Sequence, residues 1–172
     1  YKDKGLIPGK TYYYKVRAYR TVSGKNVYGA YSEVVKAKPA LKKPSLKKST
    51  VNYDSVKLTW KKISGASGYK IYRSTSADGT YKRVKNITSA STLTYTDSGL
   101  TAGTTYYYKI RAYRTVDGKK GYSEYSKLLD VMPTLDKVKD FKAAPTGDDE
   151  KGSIELTWSK VTGATGYTIA RS

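Results

Sequence analysis

One segment of this chain occurs twice with almost no change. Residues 11–22 read Thr-Tyr-Tyr-Tyr-Lys-Val-Arg-Ala-Tyr-Arg-Thr-Val, and residues 105–116 repeat them with a single change, Ile for Val. The offset is 94 residues (105 − 11). A fixed long period is typical of a tandem array in which each repeat is one structural unit. The chain is therefore predicted to be an array of modules of about ninety residues, a size that can bury a modest hydrophobic core.

A second repeat covers the other half of the unit. Residues 58–69 contain Leu-Thr-Trp and Gly-Ala-Ser-Gly-Tyr, and residues 156–167 contain Leu-Thr-Trp and Gly-Ala-Thr-Gly-Tyr, at an offset of 98 (158 − 60). The longer offset indicates an insertion, which we place around residues 146–151. We expect the chain to be an excerpt of a longer protein. The alignments predict the C-terminal half of a module at 1–40, a complete module at 41–134 and the N-terminal half of a further module at 135–172.

The composition lacks the side chains most often used in catalysis and zinc binding. The chain contains no His and no Cys, which removes the usual general base, the thiolate nucleophile and the commonest zinc ligands. Its 14 acidic residues show no recurring pair at a distinctive spacing, so we expect neither an enzyme nor a cofactor. Asp148, Asp149 and Glu150 lack the spaced oxygen ligands and the glycine of a calcium loop. We expect them to form a solvated turn.

The formal net charge of +19 points to anionic partners. Teichoic acids, other anionic glycans and cell-wall polymers would fit, whereas the alternative is that lysine keeps a long extracellular rod soluble. Nucleic acid is not favoured, because no recognition helix, zinc spacing or RNA-binding signature occurs. No apolar run approaches the roughly 20 residues that span a bilayer.

Alternation with a period of two predicts strands through the complete module. Val56, Leu58 and Trp60 share one face of such a run, and tyrosine and β-branched residues favour half-buried sheets. Turn signals such as Asp117-Gly118 separate the runs. Short strands with turns about every eight to twelve residues predict an all-β sandwich.

These residues resemble the fibronectin type III module. Trp60 is followed by Gly-Tyr-Lys-Ile at 68–71 and by Leu-x-x-Gly-x-x-Tyr at 100–106, and residues 6–12 fit the family's Leu-x-Pro-Gly-x-x-Tyr signature as Leu-Ile-Pro-Gly-Lys-Thr-Tyr. The richness in tyrosine and lysine resembles repeats in surface or secreted proteins of Gram-positive bacteria. The resemblance implies tandem immunoglobulin-like sandwiches, with strands A-B-E facing strands C′-C-F-G. It also implies an extracellular or cell-surface location.

The resemblance assigns a structural role to three pairs of residues. It places in the core the tryptophans, the corner tyrosines and the leucines of the signature: Trp60, Trp158, Tyr12, Tyr106, Leu6 and Leu100. The loop in which animal cell-adhesion members carry Arg-Gly-Asp reads Asp-Gly-Lys-Lys at 117–120, so integrin binding is not implied.

One predicted sheet face alternates aromatic rings and cations in both copies. Its members are Tyr107, Lys109, Arg111 and Tyr113, their equivalents Tyr13, Lys15, Arg17 and Tyr19, and the neighbouring-strand residues Lys70 and Tyr72. Rings of this kind stack on sugars, and the cations pair with phosphate, sulfate or carboxylate groups. One such face per module would give an array avidity for a polymer. The alternative is that these are cross-strand pairs that stabilise an exposed sheet.

Three functions follow as hypotheses. The first is a non-catalytic structural or spacer array in a bacterial cell-surface or secreted protein. The second is an adhesive module that binds an anionic polysaccharide, cell wall or a host protein through the aromatic and cationic face. The third is a set of accessory modules of a secreted carbohydrate-active enzyme. The incomplete modules also predict head-to-tail self-association, in which the back half of one chain completes the front half of the next.

Overall fold

The computed structural model describes residues 1–146 and 152–172, and within them every regular element is a strand. No helix in this part of the chain is long and apolar enough to cross a membrane. The acidic segment of Asp148, Asp149 and Glu150 lies outside the described residues. The strands are β1 Tyr12–Tyr14, β2 Tyr19–Val22, β3 Lys25–Tyr28, β4 Val35–Ala37, β5 Lys47–Val51, β6 Ser55–Thr59, β7 Gly68–Ser74, β8 Lys82–Ile87, β9 Thr94–Ser98, β10 Tyr106–Val116, β11 Lys119–Tyr122, β12 Leu129–Val131, β13 Lys139–Pro145 and β14 Ile154–Ser159.

The complete module is a sandwich of two antiparallel sheets. One sheet has the order β5-β6-β9, and the other has the order β11-β10-β7-β8, with β12 also paired to β10. With β5 as strand A, these orders are A-B-E and G-F-C-C′, so the predicted fold class is confirmed. The last strand is divided in two: β11 pairs with the end of β10, and β12 pairs with its beginning.

The core lies between these two sheets and follows the period of two. Leu58, Ile71 and Ile110 are fully buried on β6, β7 and β10, as expected for the inward face of each strand. Trp60 is 5% exposed, and its ring lies 5.4 Å from that of Tyr69 in an edge-on arrangement. Truncation of a buried tryptophan typically costs about 3–5 kcal/mol, which is a large part of the stability of a small domain.

Leu100 and Tyr106 form the corner before β10. Both side chains are buried, and the backbone N–H of Thr101 donates to the Tyr106 hydroxyl at 3.0 Å. The same corner occurs near the start of the chain, where the N–H of Ile7 donates to the Tyr12 hydroxyl at 3.0 Å. The local structure of the repeat is therefore retained in both copies.

Three residues assigned to the core are only partly buried. Leu6 and Tyr12 belong to residues 1–40, which form the pair β1-β4 and the hairpin β2-β3 without a facing sheet. Trp158 lies on the pair β13-β14, where it contacts Tyr167 with ring centroids 5.2 Å apart. A sandwich buries these positions between two sheets, and the described residues provide only one layer around each of them.

A buried carboxylate connects the two sheets of the complete module. Asp97 accepts hydrogen bonds from Arg73 and Tyr108, each at 2.8 Å, and from Tyr95 at 3.2 Å. Asp97 is buried and Arg73 is half-buried. Hydrogen bonds to an ionised acceptor are the stronger kind, so this cluster ties β9 of one sheet to β7 and β10 of the other.

A tyrosine–cation ladder on the outer sheet face

The predicted face brings cations and rings together on the solvent side of β10 and β7. The strand register places Lys109 opposite Tyr72 and Arg111 opposite Lys70. All four side chains, and that of Tyr107, are half-buried. These residues therefore lie together on one face of the sheet, and the structure adds three further tyrosines to it.

The side chains form an alternating stack that we call the ladder. In order along the stack its members are Tyr81, Lys109, Tyr125, Arg111, Tyr122 and Lys70. Contacts of this kind between a cation and a ring contribute about 0.5–1 kcal/mol at exposed sites and more where water is excluded.

Arg111 occupies the centre of the ladder. Its guanidinium carbon lies 4.1 Å from the ring centroid of Tyr122 and 4.9 Å from that of Tyr125. It is also 5.5 Å from the ring of Tyr72, whose hydroxyl accepts a hydrogen bond from it at 3.0 Å. The planar guanidinium is suited to such stacking. The arginine side chain is thus fixed by three tyrosines.

Two lysines extend the ladder in opposite directions. The ammonium of Lys109 lies 3.8 Å from the ring centroid of Tyr81 and 4.8 Å from that of Tyr125. The ammonium of Lys70 lies 4.9 Å from the ring of Tyr122 and donates a hydrogen bond to its hydroxyl at 2.8 Å. That hydrogen bond is the main reason why the pKa of Tyr122 is lowered, because it stabilises the phenolate.

A Tyr-Ser-Glu-Tyr-Ser segment at residues 122–126 positions two of the rings. The hydroxyls of Ser123 and Ser126 accept hydrogen bonds from the backbone N–H groups of Ala112 and Ile110, at 3.0 and 3.1 Å. The serine N–H groups donate back to the carbonyls of the same two residues, at 3.0 and 2.8 Å. These bonds hold the segment along β10 between β11 and β12, so that both tyrosines lie over Arg111.

Sequence reasoning missed Tyr81, Tyr122 and Tyr125 as members of this face. A signal was present for two of them, because the Tyr-x-x-Tyr-Ser spacing of residues 122–126 recurs at residues 28–32 as Tyr-Gly-Ala-Tyr-Ser. No comparable pattern marks Tyr81, which reaches the face from the turn between β7 and β8.

The ladder recurs in the first copy at the same offset. Lys15 lies 4.1 Å from the ring of Tyr31, and Arg17 lies 4.6 Å from Tyr31 and 3.8 Å from Tyr28. The N–H of Val16 donates to the hydroxyl of Ser32 at 3.1 Å, as Ile110 does to Ser126. The arrangement is therefore a property of the repeat.

No acidic side chain forms an ion pair with the ladder among the described residues. The single ion pair that this part of the chain contains joins Arg73 to Asp97 at 2.8 Å. The Nε of Arg111 is buried and has no hydrogen-bond partner. Positive charge on this face is therefore balanced by tyrosine rings and hydroxyls.

Tyr113 does not belong to the exposed face, although it alternates with the residues that do. It is 3% exposed, and its hydroxyl donates to the carbonyl of Ile87 at 3.3 Å. The reason is Gly68, its partner across the strands: a Cβ at that position would lie 2.8 Å from the Tyr113 hydroxyl oxygen. The ring occupies the space that a side chain at Gly68 would fill.

The remaining candidates in the first copy are open to solvent. Tyr13 is 69% and Tyr19 is 62% exposed. Tyr19 lies 5.9 Å from Tyr28 across the β2-β3 hairpin. Neither ring stacks on the cations Lys15 and Arg17, which contact Tyr28 and Tyr31 instead.

The family of the complete module follows from its sequence and its sheet order together. Residues 47–128 match the family described as the fibronectin type III domain, SaeA third domain. The sheets of the same residues have the A-B-E and G-F-C-C′ orders expected from the resemblance. Residues 47–128 are a fibronectin type III module. Parts of its sequence recur on both sides of this fibronectin type III module, at residues 11–22 and 156–167.

Curated relatives contain similar segments within longer proteins. The chain is 30% identical over 193 aligned positions to Exoglucanase B of Cellulomonas fimi, covering 99% of this chain and 17% of that protein. It is 43% identical over 72 positions to Poly(3-hydroxybutyrate) depolymerase of Ralstonia pickettii, covering 42% of this chain and 12% of that protein. The chain thus spans less than a fifth of the length of these relatives.

Two solved structures are also similar to parts of this chain. Chicken CNTN1 FN1-FN3 domains have a TM-score of 0.46 at 17% identity, with 78% of this chain and 46% of that chain covered. A beta-1,2-glucanase from Parabacteroides distasonis has a TM-score of 0.47 at 23% identity, with 66% and 16% covered. The described residues contain no group of His, Cys, Asp and Glu that could hold a metal ion.

Proposed function

We propose that the chain is a non-catalytic spacer array of a secreted or cell-surface bacterial protein. One observation carries the proposal: in the complete module, Lys70, Lys109 and Arg111 are engaged by tyrosines of the same face. Such contacts between neighbouring strands stabilise a sheet. The match to segments of an exoglucanase and a depolymerase supports accessory modules of a secreted enzyme as the setting.

The spacer proposal predicts that the length of the array matters more than its surface. We expect deletion of residues 41–134 from the parent protein to reduce that protein's activity on an insoluble or surface-bound target. Activity on a small soluble substrate, or ligand binding in solution, should be retained. The measurement is the ratio of the two activities, with Lys109→Gln as the control that changes the ladder at constant length. If deletion leaves the ratio unchanged, the spacer proposal is wrong.

A second candidate is an adhesive module for an anionic polysaccharide. It is favoured by the observation that no acidic side chain of the described residues forms an ion pair with Lys70, Lys109 or Arg111. Because these cations are held by tyrosines, little side-chain entropy would be lost when an anionic polymer binds. The exposed edges of the rings would contact sugar, while the cations would pair with its carboxylate, sulfate or phosphate groups.

Sedimentation with purified anionic cell-wall polymer tests this second candidate. We expect Lys70→Gln with Lys109→Gln to abolish saturable binding if the ladder is a site. The matched control is Lys57→Gln with Lys61→Gln, which removes the same charge from exposed positions outside the ladder. Equal loss in both variants, and equal sensitivity to salt, would mean that diffuse charge alone attracts the polymer. If the unmodified chain does not bind the polymer, the adhesive candidate is wrong and the spacer role is the one that stands.

A further inference from the structure

Each end of the complete module consists of two adjoining loops. At one end, the turn at residues 52–54 meets the loop before β10, because the N–H of Leu100 donates to the carbonyl of Asp54 at 2.8 Å. We call this end the lower pole. At the other end, the turn at residues 63–67 meets the β10-β11 hairpin, because the N–H of Ser67 donates to the carbonyl of Tyr113 at 2.7 Å. We call this end the upper pole.

The first copy contacts the upper pole through its own corner loop. Gly121 of the hairpin approaches Pro8 so closely that a Cβ at Gly121 would lie 2.8 Å from the Pro8 carbonyl carbon. Both residues are buried. Ala102, which occupies the position equivalent to Pro8 in the next copy (8 + 94), is exposed. The contact with the hairpin is therefore part of what buries Pro8.

The lower pole contacts the third copy through a different residue. The ring of Tyr53 covers Gly163, where a Cβ would lie 2.5–2.7 Å from three ring carbons. Gly163 is equivalent to Gly65 of the complete module (163 − 98). The heavy atoms nearest to a Cβ at Gly65 belong to Arg114 and Leu41, at 3.7 and 3.8 Å, so this upper turn leaves room for a ring such as that of Tyr53.

We propose that the two poles are complementary docking surfaces and that each fits the opposite pole of the neighbouring copy in the same chain. The joint between two complete modules then contains two contacts. The corner-loop residue at the position of Pro8 rests on the hairpin backbone at the position of Gly121 where that position is glycine, as it is in the complete module but not in the first copy, which has Val27. The tyrosine at the position of Tyr53 rests on the turn glycine at the position of Gly163.

Two separate contacts have a mechanical consequence that one contact would not have. Domains in one chain move relative to each other unless an interface holds them. A single contact leaves rotation about itself, whereas two contacts on adjoining loops restrict both bending and twisting. With two contacts at each joint, neighbouring modules keep a fixed orientation relative to each other, and the array has a fixed direction as well as a length. Only its biological use rests on the proposed spacer function.

The first joint can be tested with one substitution, Gly121→Val. The equivalent position in the first copy is Val27 (121 − 94), in the same register of the β2-β3 hairpin, so the hairpin itself tolerates valine. The chain has no cysteine, which allows spin labels at the exposed positions Glu33→Cys and Thr80→Cys. We expect a narrow distance distribution that Gly121→Val broadens or shifts, with Lys119→Val of the same hairpin as the unaffected control.

The second joint requires its own label pair, Thr80→Cys with Glu155→Cys, and the variant Tyr53→Ala. We expect Tyr53→Ala to broaden the distance distribution of this second pair and to leave that of the first pair unchanged. Gly121→Val should change the distribution of the first pair and leave that of the second unchanged. Thermal melting of each variant confirms that the complete module remains folded. The proposal is wrong if the unmodified chain already shows the broad distance distribution expected for modules joined by a flexible linker, or if neither variant changes its distribution. Because the distances are measured in the isolated chain, either outcome is independent of the deletion experiment in the parent protein.

Discussion

Burial and the Asp97 carboxylate together shift the ionisation of two neighbouring tyrosines. Burial, followed by the adjacent Asp97 carboxylate, raises the pKa of Tyr95 to about 12. Burial and the hydrogen bond to the same carboxylate hold the pKa of Tyr108 well above its ordinary value. A second negative charge beside Asp97 is unfavourable, so both phenols stay neutral in the folded module. The first copy repeats the pair, with the Tyr14 hydroxyl donating to Asp3 at 2.9 Å.

These pKa shifts predict a loss of stability in alkali. A tyrosine whose pKa is higher in the folded state than in the unfolded chain contributes stability that is complete below pH ~10 and declines as pH rises through the folded pKa. We therefore expect the free energy of unfolding in urea to fall between pH 10 and about 12. The lowered pKa of Tyr122 acts in the opposite direction. Tyr108→Phe should make the decline shallower, and an unchanged slope would contradict the role assigned to the Asp97 cluster.

At the scale of the element, the divided last strand forms the framework of the ladder. A continuous strand alternates its side chains, whereas Tyr122 and Tyr125 are three residues apart and both contact Arg111. In the segment between β11 and β12, two serine hydroxyls accept the hydrogen bonds from the N–H groups of β10 that backbone carbonyls would accept in a continuous strand. This arrangement allows both rings to lie over Arg111. The two serines therefore stabilise the sheet and position the rings at the same time.

Removal of these hydroxyls has a predictable cost. Ser126→Ala leaves the buried N–H of Ile110 without its 3.1 Å acceptor, and loss of a buried partner costs about 1–3 kcal/mol. We expect Ser123→Ala to behave similarly at Ala112 and the double variant to lower the midpoint of urea unfolding further. Ser32→Ala is the matched control in the first copy, where the equivalent bond is exposed. Equal stability of Ser126→Ala and the unmodified chain would show that water replaces the hydroxyl.

For the whole molecule, periodicity, repeats and the family resemblance together predicted the fold but not the contacts between side chains. Alternation identified the strands, and the order of the sheets came from the family resemblance. The assignment of Tyr113 to the exposed face was wrong, since alternation cannot show that Gly68 across the strands leaves room for its ring. The packing of Pro8 on Gly121 was not predicted, because it depends on how two copies lie relative to each other.

The central claim is that the array acts through its length and rigidity. The most direct measurement replaces residues 41–134 of the parent protein by an unrelated β-sandwich of matched length. The activity of that chimera on the surface-bound target is then compared with that of the deletion variant. We predict that the unrelated sandwich restores most of the activity that deletion removes. If the chimera is as impaired as the deletion variant, the surface of this module carries the function, and the spacer account is contradicted.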